Sequence, residues 1–324
     1  MHILRPKVGG AQFMICGICR KKTQLILKEK FGVFSLWECN DCQGQFWVPM
    51  KNPGAEWYEK DERYSFRNKN PLKKPEINHR EFLRDLPTPG GKLLDIGMGT
   101  GNFLADAAAK GYNEYGIDFD ADAIETAKQV FNLKNVYPLN VEGAIKKFGS
   151  DYFDAITMFE VLEHLENPSE SIEKIKILLK TGGYLGLSVP YRGSWNGFKT
   201  HDKPPRHLTR WNKESMKNFL NAHQFSVIRI KIIPVPFSYL ITKYHFWYKG
   251  IFSFGIVEKL TVSTKKEGGG ESTSKKQYWK INLLQKLARA KDYLLFSLPA
   301  AFLYLRLRLR GELGFNLYVL ANLN

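Results

Sequence analysis

Lys92–Asp120 reads KLLDIGMGTGNFLADAAAKGYNEYGIDFD. The apolar run of Leu93, Leu94 and Ile96 carries Asp95 and breaks into Gly97-x-Gly99-x-Gly101 before a helical pattern from Phe103 to Lys110. That succession reads as a buried strand, a glycine turn and a helix start. Such a turn takes glycine because its backbone angles are closed to other residues and because a ligand must approach the main chain with no Cβ between. A second short strand, Tyr115-Gly116-Ile117, ends in Asp118, one βαβ unit downstream of the first glycine. A carboxylate at that tip is placed to accept both hydroxyls of a ribose.

Glycines alone leave a nicotinamide or flavin Rossmann domain open, but those use GxGxxG, whereas this turn is GxGxG with an aspartate inside the strand. DIGMGTGNF followed by GIDFD resembles motif I and the acidic loop of class I S-adenosylmethionine (SAM) methyltransferases. The resemblance continues through FDAITMFEVLEHLENP (Phe153–Pro168) and LKTGGYLGLSVP (Leu179–Pro190), covering roughly Glu81 to Ile230. It implies SAM as cofactor, held by Asp95, Gly97, Gly99, Gly101, Asp118, Phe119, Asn140, Val141 and Phe159. Phe119 is either an adenine-stacking ring or a core aromatic. Asn140 stands where relatives place an aspartate, and its carbonyl oxygen can accept from the adenine amino group.

Working outward, strands are expected near 92–96, 114–118, 135–139, 153–158, 183–189 and 225–231, with helices between. Gly314–Ala321 (GFNLYVLA) reads as a closing strand, antiparallel in the family resembled. This alternation predicts an α/β fold: a Rossmann-like, doubly wound, mostly parallel seven-stranded sheet with ligands at the carboxyl ends of its strands. The expected organisation is a zinc-ribbon leader over 1–58, a linker and edge helix over 59–89, a SAM-binding core over 90–232, a basic aromatic helical insertion over 233–312, and the closing strand over 313–324. The linker is polar and proline-rich, with one helix from Glu76 to Leu86.

All four cysteines precede residue 43, as Cys16-x-x-Cys19 and Cys39-x-x-Cys42. Two tight turns each offering two thiolates can close a tetrahedral Zn²⁺ site and staple a β-ribbon of strands Gln24–Lys28 and Val33–Glu38. So few and so clustered, they argue for a structural metal in a reducing compartment and against a disulfide framework. QFWVP (Gln45–Pro49) and Trp57-Tyr58 resemble the ribbon leader ahead of many bacterial methyltransferases of cell-surface glycan and lipid pathways. Ribosomal RNA methyltransferases can carry such a ribbon too. Met1–Gly10 is basic without the apolar core of a secretory signal, so a cytoplasmic protein is expected.

The fourth core strand runs into Glu160-x-x-Glu163-His164. On a helix these residues share one face, and two carboxylates with an imidazole suit Mg²⁺ or Mn²⁺. The pattern resembles the ubiquinone-biosynthesis O-methyltransferases and the small-RNA 3′-end 2′-O-methyltransferases. The latter add a histidine, for which RHLTRWNKE (Arg206–Glu214) offers His207. Glu160, Glu163, His164 and His207 are thus candidate catalytic and metal-binding residues. A metal-free role for His207 as base or substrate clamp, or a capping role for Glu163 and His164, stays open, with His201 and Asp202 in reserve.

The net charge is +16, of which +11 falls in residues 231–310. That stretch holds an aromatic run (Pro234–Val257), a flexible linker (Thr264–Ser274), a basic helix (Lys276–Lys291) and an apolar run (Tyr293–Leu305) ending in Arg306, Arg308 and Arg310. Neither run reaches the roughly twenty apolar residues of a membrane span. Together they suit an anionic bilayer surface at the inner face of the cell membrane, or a lid with a solvated basic face. The expected function is methylation of a small-molecule, glycan, lipid-linked or quinone-like acceptor. RNA methylation is the alternative, and the oligomeric state is not legible.

Overall fold

The structure, a computed structural model, describes residues 11–54, 57, 62–69, 71, 76–86, 90–194, 202–252 and 275–324. The readings of Met1–Gly10, Tyr58, His201, the Thr264–Ser274 linker and the aromatic run beyond Phe252 lie outside these residues. The chain divides into two compact units, Met1–Ile233 with Gly314–Asn324, and Pro234–Leu313.

The first unit opens with an antiparallel ribbon of β1 (Ala11–Ile15), β2 (Lys22–Phe31), β3 (Phe34–Cys39) and β4 (Gln45–Val48). Each cysteine pair sits in a tight turn following a strand, one after β1 and one closing β3. Helices α1 (Glu62–Lys69) and α2 (Ile77–Asp85) follow. The second falls within the Glu76–Leu86 stretch where a helix is expected. The first falls where only linker was expected, since its mean hydropathy is low and it carries no apolar stripe.

The chain then alternates: β5 (Lys92–Ile96), α3 (Asn102–Ala109), β6 (Asn113–Ile117), α4 (Ala121–Phe131), β7 (Val136–Tyr137), α5 (Val141–Phe148), β8 (Phe153–Phe159), a 3-10 turn (Leu162–His164), α6 (Pro168–Leu178), β9 (Leu179–Pro190), β10 (Thr209–Arg210), α7 (Lys213–Ala222) and β11 (Phe225–Pro234). With the closing β12 (Gly314–Leu323), seven strands form one sheet in the order β11-β12-β9-β8-β5-β6-β7. Neighbours from β9 through β8, β5 and β6 to β7 run parallel, and β12 runs antiparallel to β9. The chain reverses direction across the sheet beside β5, the point where an open α/β sheet leaves a ligand crevice. β7 is shorter than its apolar pattern because Pro138 has no N–H to extend the ladder.

Alternation along the strands sorts the core into two layers. Leu94, Ile96, Ile156, Met158, Leu185, Leu187, Leu317 and Val319 pack on one face, and Leu93, Ala155, Tyr318 and Leu320 on the other. Cys16, Ile18, Leu25, Trp37 and Phe46 of the ribbon belong to the first layer, so ribbon and sheet share one hydrophobic core. Side-chain caps start α4 (Asp120), α5 (Asn140), α6 (Asn167) and α7 (Asn212).

Among the described residues the second unit is a pair of helices, α8 (Phe237–Phe252) and α9 (Lys275–Leu309). Ring contacts of Phe237 with Tyr304 and of His245 with Phe296 show that they run antiparallel. The basic helix and the apolar run, read as separate segments, are one 35-residue helix that continues through Pro299. Leucine and alanine on both sides of the proline favour the helix enough to carry it past one missing hydrogen bond.

Candidate active site

A cleft of about 540 Å³ opens at the carboxyl ends of β5, β6 and β8. At its floor the chain leaves β5 through Gly97 (φ 72°) and Gly99 (φ 54°), both left-handed. A Cβ on Gly97 would lie 2.5 Å from Val161 Cγ2, so conformation and space both demand glycine. The N–H of Gly99 donates to Asp118 Oδ2 (2.8 Å) and that of Asp120 to Asp118 Oδ1 (2.9 Å). Asp118 therefore pins the glycine turn to the tip of β6, and burial raises its pKa. Asp95 lies deeper, its Oδ1 accepting from the Thr157 hydroxyl (2.7 Å), and burial pushes its pKa up to about 8.

Of the sequence-derived cofactor set, Asp95, Gly97, Gly99, Asp118, Phe119, Asn140, Val141 and Phe159 line this cleft. Gly101 does not. Its added Cβ would meet Leu133 Cδ1 at 2.6 Å, so it serves helix packing behind the turn. Phe119 is half exposed on the rim and is no core aromatic. Asn140 accepts the Gly143 N–H (2.9 Å) as the cap of α5, which leaves its carbonyl oxygen one further lone pair for a ligand. Asn52, Arg67, Glu76 and His79 also line the cleft and carry no motif. They come from the leader and linker. Asn68 on α1 donates to Asp120 Oδ2 (2.7 Å), holding α1 over the adjoining loop. His79 stacks between Phe103 and Phe159, where burial lowers its pKa to about 4.

The Glu160–His164 segment is not an α-helix, contrary to the sequence reading. Glu160 is left-handed (φ 58°), its N–H donating to Ser188 O, and only a 3-10 turn follows. The bend sends the two carboxylates apart. Glu160 accepts from Ser188 Oγ (2.9 Å) and Asn316 Nδ2 (3.1 Å), and burial lifts its pKa to about 7. Glu163 turns inward, 1% exposed, and neither carboxylate oxygen accepts a hydrogen bond among the described residues. Burial, then the charges of Glu160 and Asp202, drive its pKa well up.

Two imidazoles face that carboxylate. His164 Nδ1 lies 2.7 Å from Arg206 O, a carbonyl that can only accept, so Nδ1 carries the proton, and Nε2 stands 3.9 Å from Glu163 Oε1. Burial lowers the His164 pKa to about 3, which keeps the ring neutral. His207 Nδ1 meets Asp202 Oδ1 (3.1 Å), and its Nε2 stands 4.0 Å from the same Glu163 oxygen. Glu163, His164 and His207 each bring a ligand atom within 4.8 Å of the others, and Glu160 is outside the group. The anticipated four-residue metal set thus contracts to three. Asp202, a reserve candidate, orients His207 instead.

The loop carrying His207 is held by the ribbon. Leu208 N–H donates to Glu163 O (2.7 Å), Trp47 N–H donates to Leu208 O (2.9 Å), and β10 pairs with β4 as the fifth strand of the ribbon sheet. Arg210 is the side-chain link. It ion-pairs with Asp202 (2.9 Å) and Glu29 (2.9 Å), donates to Asp202 O (2.8 Å) and lies over the Trp47 ring. Across the ribbon, Cys16 and Cys42 sulfurs stand 3.8 Å apart and those of Cys19 and Cys39 3.9 Å apart, all four within 4.8 Å. A tetrahedron with metal–sulfur bonds of about 2.3 Å has edges of about 3.8 Å. The separations suit a metal and are far too long for a disulfide.

Sheet order, glycine turn, strand-tip carboxylate and cleft define a class I SAM-dependent methyltransferase domain. Residues 71–230 match the family model described as Methyltransferase domain. The chain is 40% identical over 107 residues to the ubiquinone biosynthesis O-methyltransferase of Glaesserella parasuis, covering 31% of this chain and 45% of that protein. It is 28% identical over 143 residues to the enzyme of the same name from Chromobacterium violaceum, covering 43% and 59%. The match therefore spans less than two thirds of these relatives. A SAM-dependent methyltransferase structure from Archaeoglobus fulgidus superposes with a TM-score of 0.50 at 18% identity, covering 81% of this chain and 100% of that one, and shares the fold.

Proposed function

We propose that the protein transfers the methyl group of SAM to a hydroxyl of a quinone-like, glycan or lipid-linked small molecule, met at the inner surface of the cell membrane. The observation that carries this reading is the buried Glu163 carboxyl group, without a hydrogen-bond partner among the described residues, with Nε2 of His164 and of His207 3.9 and 4.0 Å from its Oε1 beside the cleft. Asp118 would hold the ribose through the lone pairs its two backbone contacts leave, with Phe119 and Asn140 at the adenine. The names of the relatives favour an oxygen acceptor.

A buried carboxylate that accepts nothing is costly, and a cation between it and the two imidazoles removes the cost. One oxygen and two nitrogens fit Mn²⁺ or another first-row divalent ion better than Mg²⁺, which demands oxygen. When bound, such an ion lowers the pKa of an acceptor hydroxyl and fixes its position. Asp202 holds the His207 ring with Nε2 toward the site, so the same nitrogen can receive the acceptor's proton in the absence of metal. The four sulfurs of the ribbon would hold Zn²⁺ and take no part in the chemistry. RNA is the second reading, favoured by the +11 charge of residues 231–310.

The test is methyl transfer from labelled SAM to a prenylated hydroquinone, with structured RNA as rival acceptor. Chelation should slow transfer sharply, Mn²⁺ should restore it, and S-adenosylhomocysteine binding should be unchanged throughout. Full turnover in excess chelator, with zinc retained, removes the second metal. Transfer to RNA alone replaces the acceptor class.

A further inference from the structure

The outer face of α9 carries an apolar stripe that no described residue covers. Leu294, Leu298, Phe302, Leu305 and Leu309 are all exposed, Leu298 to 81% and Phe302 to 72%. Their spacing of four, four, three and four residues places them within about 80° of arc at 3.6 residues per turn, along about 22 Å of helix. Ala300 and Leu307, on the opposite side, are buried, and Phe296 and Tyr304 on that side meet rings of α8. Among the described residues the helix is therefore packed through its inner face and the stripe is left uncovered.

Arginines border the stripe on both sides. On the same helical wheel Arg306 and Arg310 fall beyond one edge and Arg308 beyond the other, and no carboxylate lies between Tyr293 and Gly311. Guanidinium groups at the margins of an apolar face reach headgroup phosphates while leucines and a phenylalanine enter the acyl boundary. A second copy of the stripe would offer these arginines no charge of opposite sign. No helix among the described residues is long and apolar enough to cross a membrane, so the contact lies along the surface.

We infer that the Leu294–Leu309 face of α9 docks on anionic phospholipid bilayer and anchors the chain where it meets its acceptor. This deepens the proposed function and rests on it for the acceptor alone, since docking needs no methyl transfer.

The test is co-sedimentation of the full chain with vesicles of phosphatidylcholine, alone or mixed with phosphatidylglycerol. The chain should bind the mixed vesicles and hardly the neutral ones. Neutralising one arginine (Arg308→Gln) should weaken binding roughly fivefold, and all three of order a hundredfold. Leu298→Ser with Phe302→Ser should weaken it at least about tenfold. These positions are exposed, so S-adenosylhomocysteine calorimetry should report an unchanged fold. Asp118→Ala, which should lose SAM, should still bind vesicles. A chain that binds vesicles normally yet methylates nothing leaves docking standing and removes the proposed reaction. Equal binding by the serine variant and the parent overturns the inference. So does a parent dimer that the serine variant breaks, which assigns the face to a second copy, or RNA binding that the arginine variant alone loses, with no vesicle binding.

Discussion

Among its described residues the first unit holds two clusters of metal-ligating side chains, joined by β10, and they differ in kind. The four cysteine sulfurs lie on two tight turns of one ribbon at separations that already match a tetrahedron, with no position left for another ligand. Glu163, His164 and His207 supply three donors from two loops and leave the remaining directions open. A closed soft site holds a fold, whereas a nitrogen-rich site with open positions can take a substrate. The open cluster also borrows its geometry from the closed one, because the His207 loop is hydrogen-bonded to the ribbon on one side and to Glu163 on the other.

If that dependence is correct, Cys39→Ser has the largest effect. Structural zinc sites tie about 10 kcal/mol or more to folding, so the variant should lose its zinc by elemental analysis, its melting transition and methyl transfer together. Retention of full turnover would separate the clusters. Next is Arg210→Met, which leaves the buried Asp202 without its cation, a loss of about 3–5 kcal/mol in denaturant unfolding. It should also remove the Nδ1-protonated signature of His207 in ¹⁵N spectra, and an unchanged tautomer would mean that Asp202 orients the ring unaided.

Smaller effects should be confined to one side of the comparison. Asp118→Ala removes the carboxylate that ties the glycine turn to β6, and calorimetry should show S-adenosylhomocysteine affinity falling about a hundredfold, or about 2.7 kcal/mol. Glu163→Gln should lower Mn²⁺ affinity by about a hundredfold, read by electron paramagnetic resonance, while zinc content and S-adenosylhomocysteine affinity hold. Equal Mn²⁺ binding in this variant and the parent would place the ion elsewhere.

Asp95 sharpens the contrast from another direction, as a buried acid with no second cluster beside it. Its folded pKa of about 8 lies above the ordinary aspartate value, so the stability it contributes is full below about pH 4 and is lost as pH rises through about 8. Between those limits the ligand-free parent should lose about 1.4 kcal/mol per pH unit relative to Asp95→Asn, with the difference levelling above pH 8. Parallel melting curves for the two proteins across this range would show that Asp95 titrates normally.

The sequence by itself determined what short-range rules control. The glycine turn, Asp118 at the tip of β6, each strand and each CxxC turn are patterns of a few consecutive residues, and local backbone geometry dictates their form. β7 is shorter than its apolar pattern implies because Pro138 cuts the ladder, and no apolar stripe in the sequence marks α1. Only the tertiary structure decided which donors meet. Read as a helix, Glu160 and Glu163 share a face, but the left-handed turn at Glu160 sends one to Ser188 and Asn316 and the other inward to the histidines. His207 lies 43 residues after His164 in the chain, and a strand pairing with the ribbon brings the two rings to 4.8 Å. Asn52, Arg67, Glu76 and His79 also reach the cleft, from the leader and linker. Side chains far apart in sequence are brought together by hydrogen-bond register and shared core burial, and neither leaves a periodic mark on the residues it places.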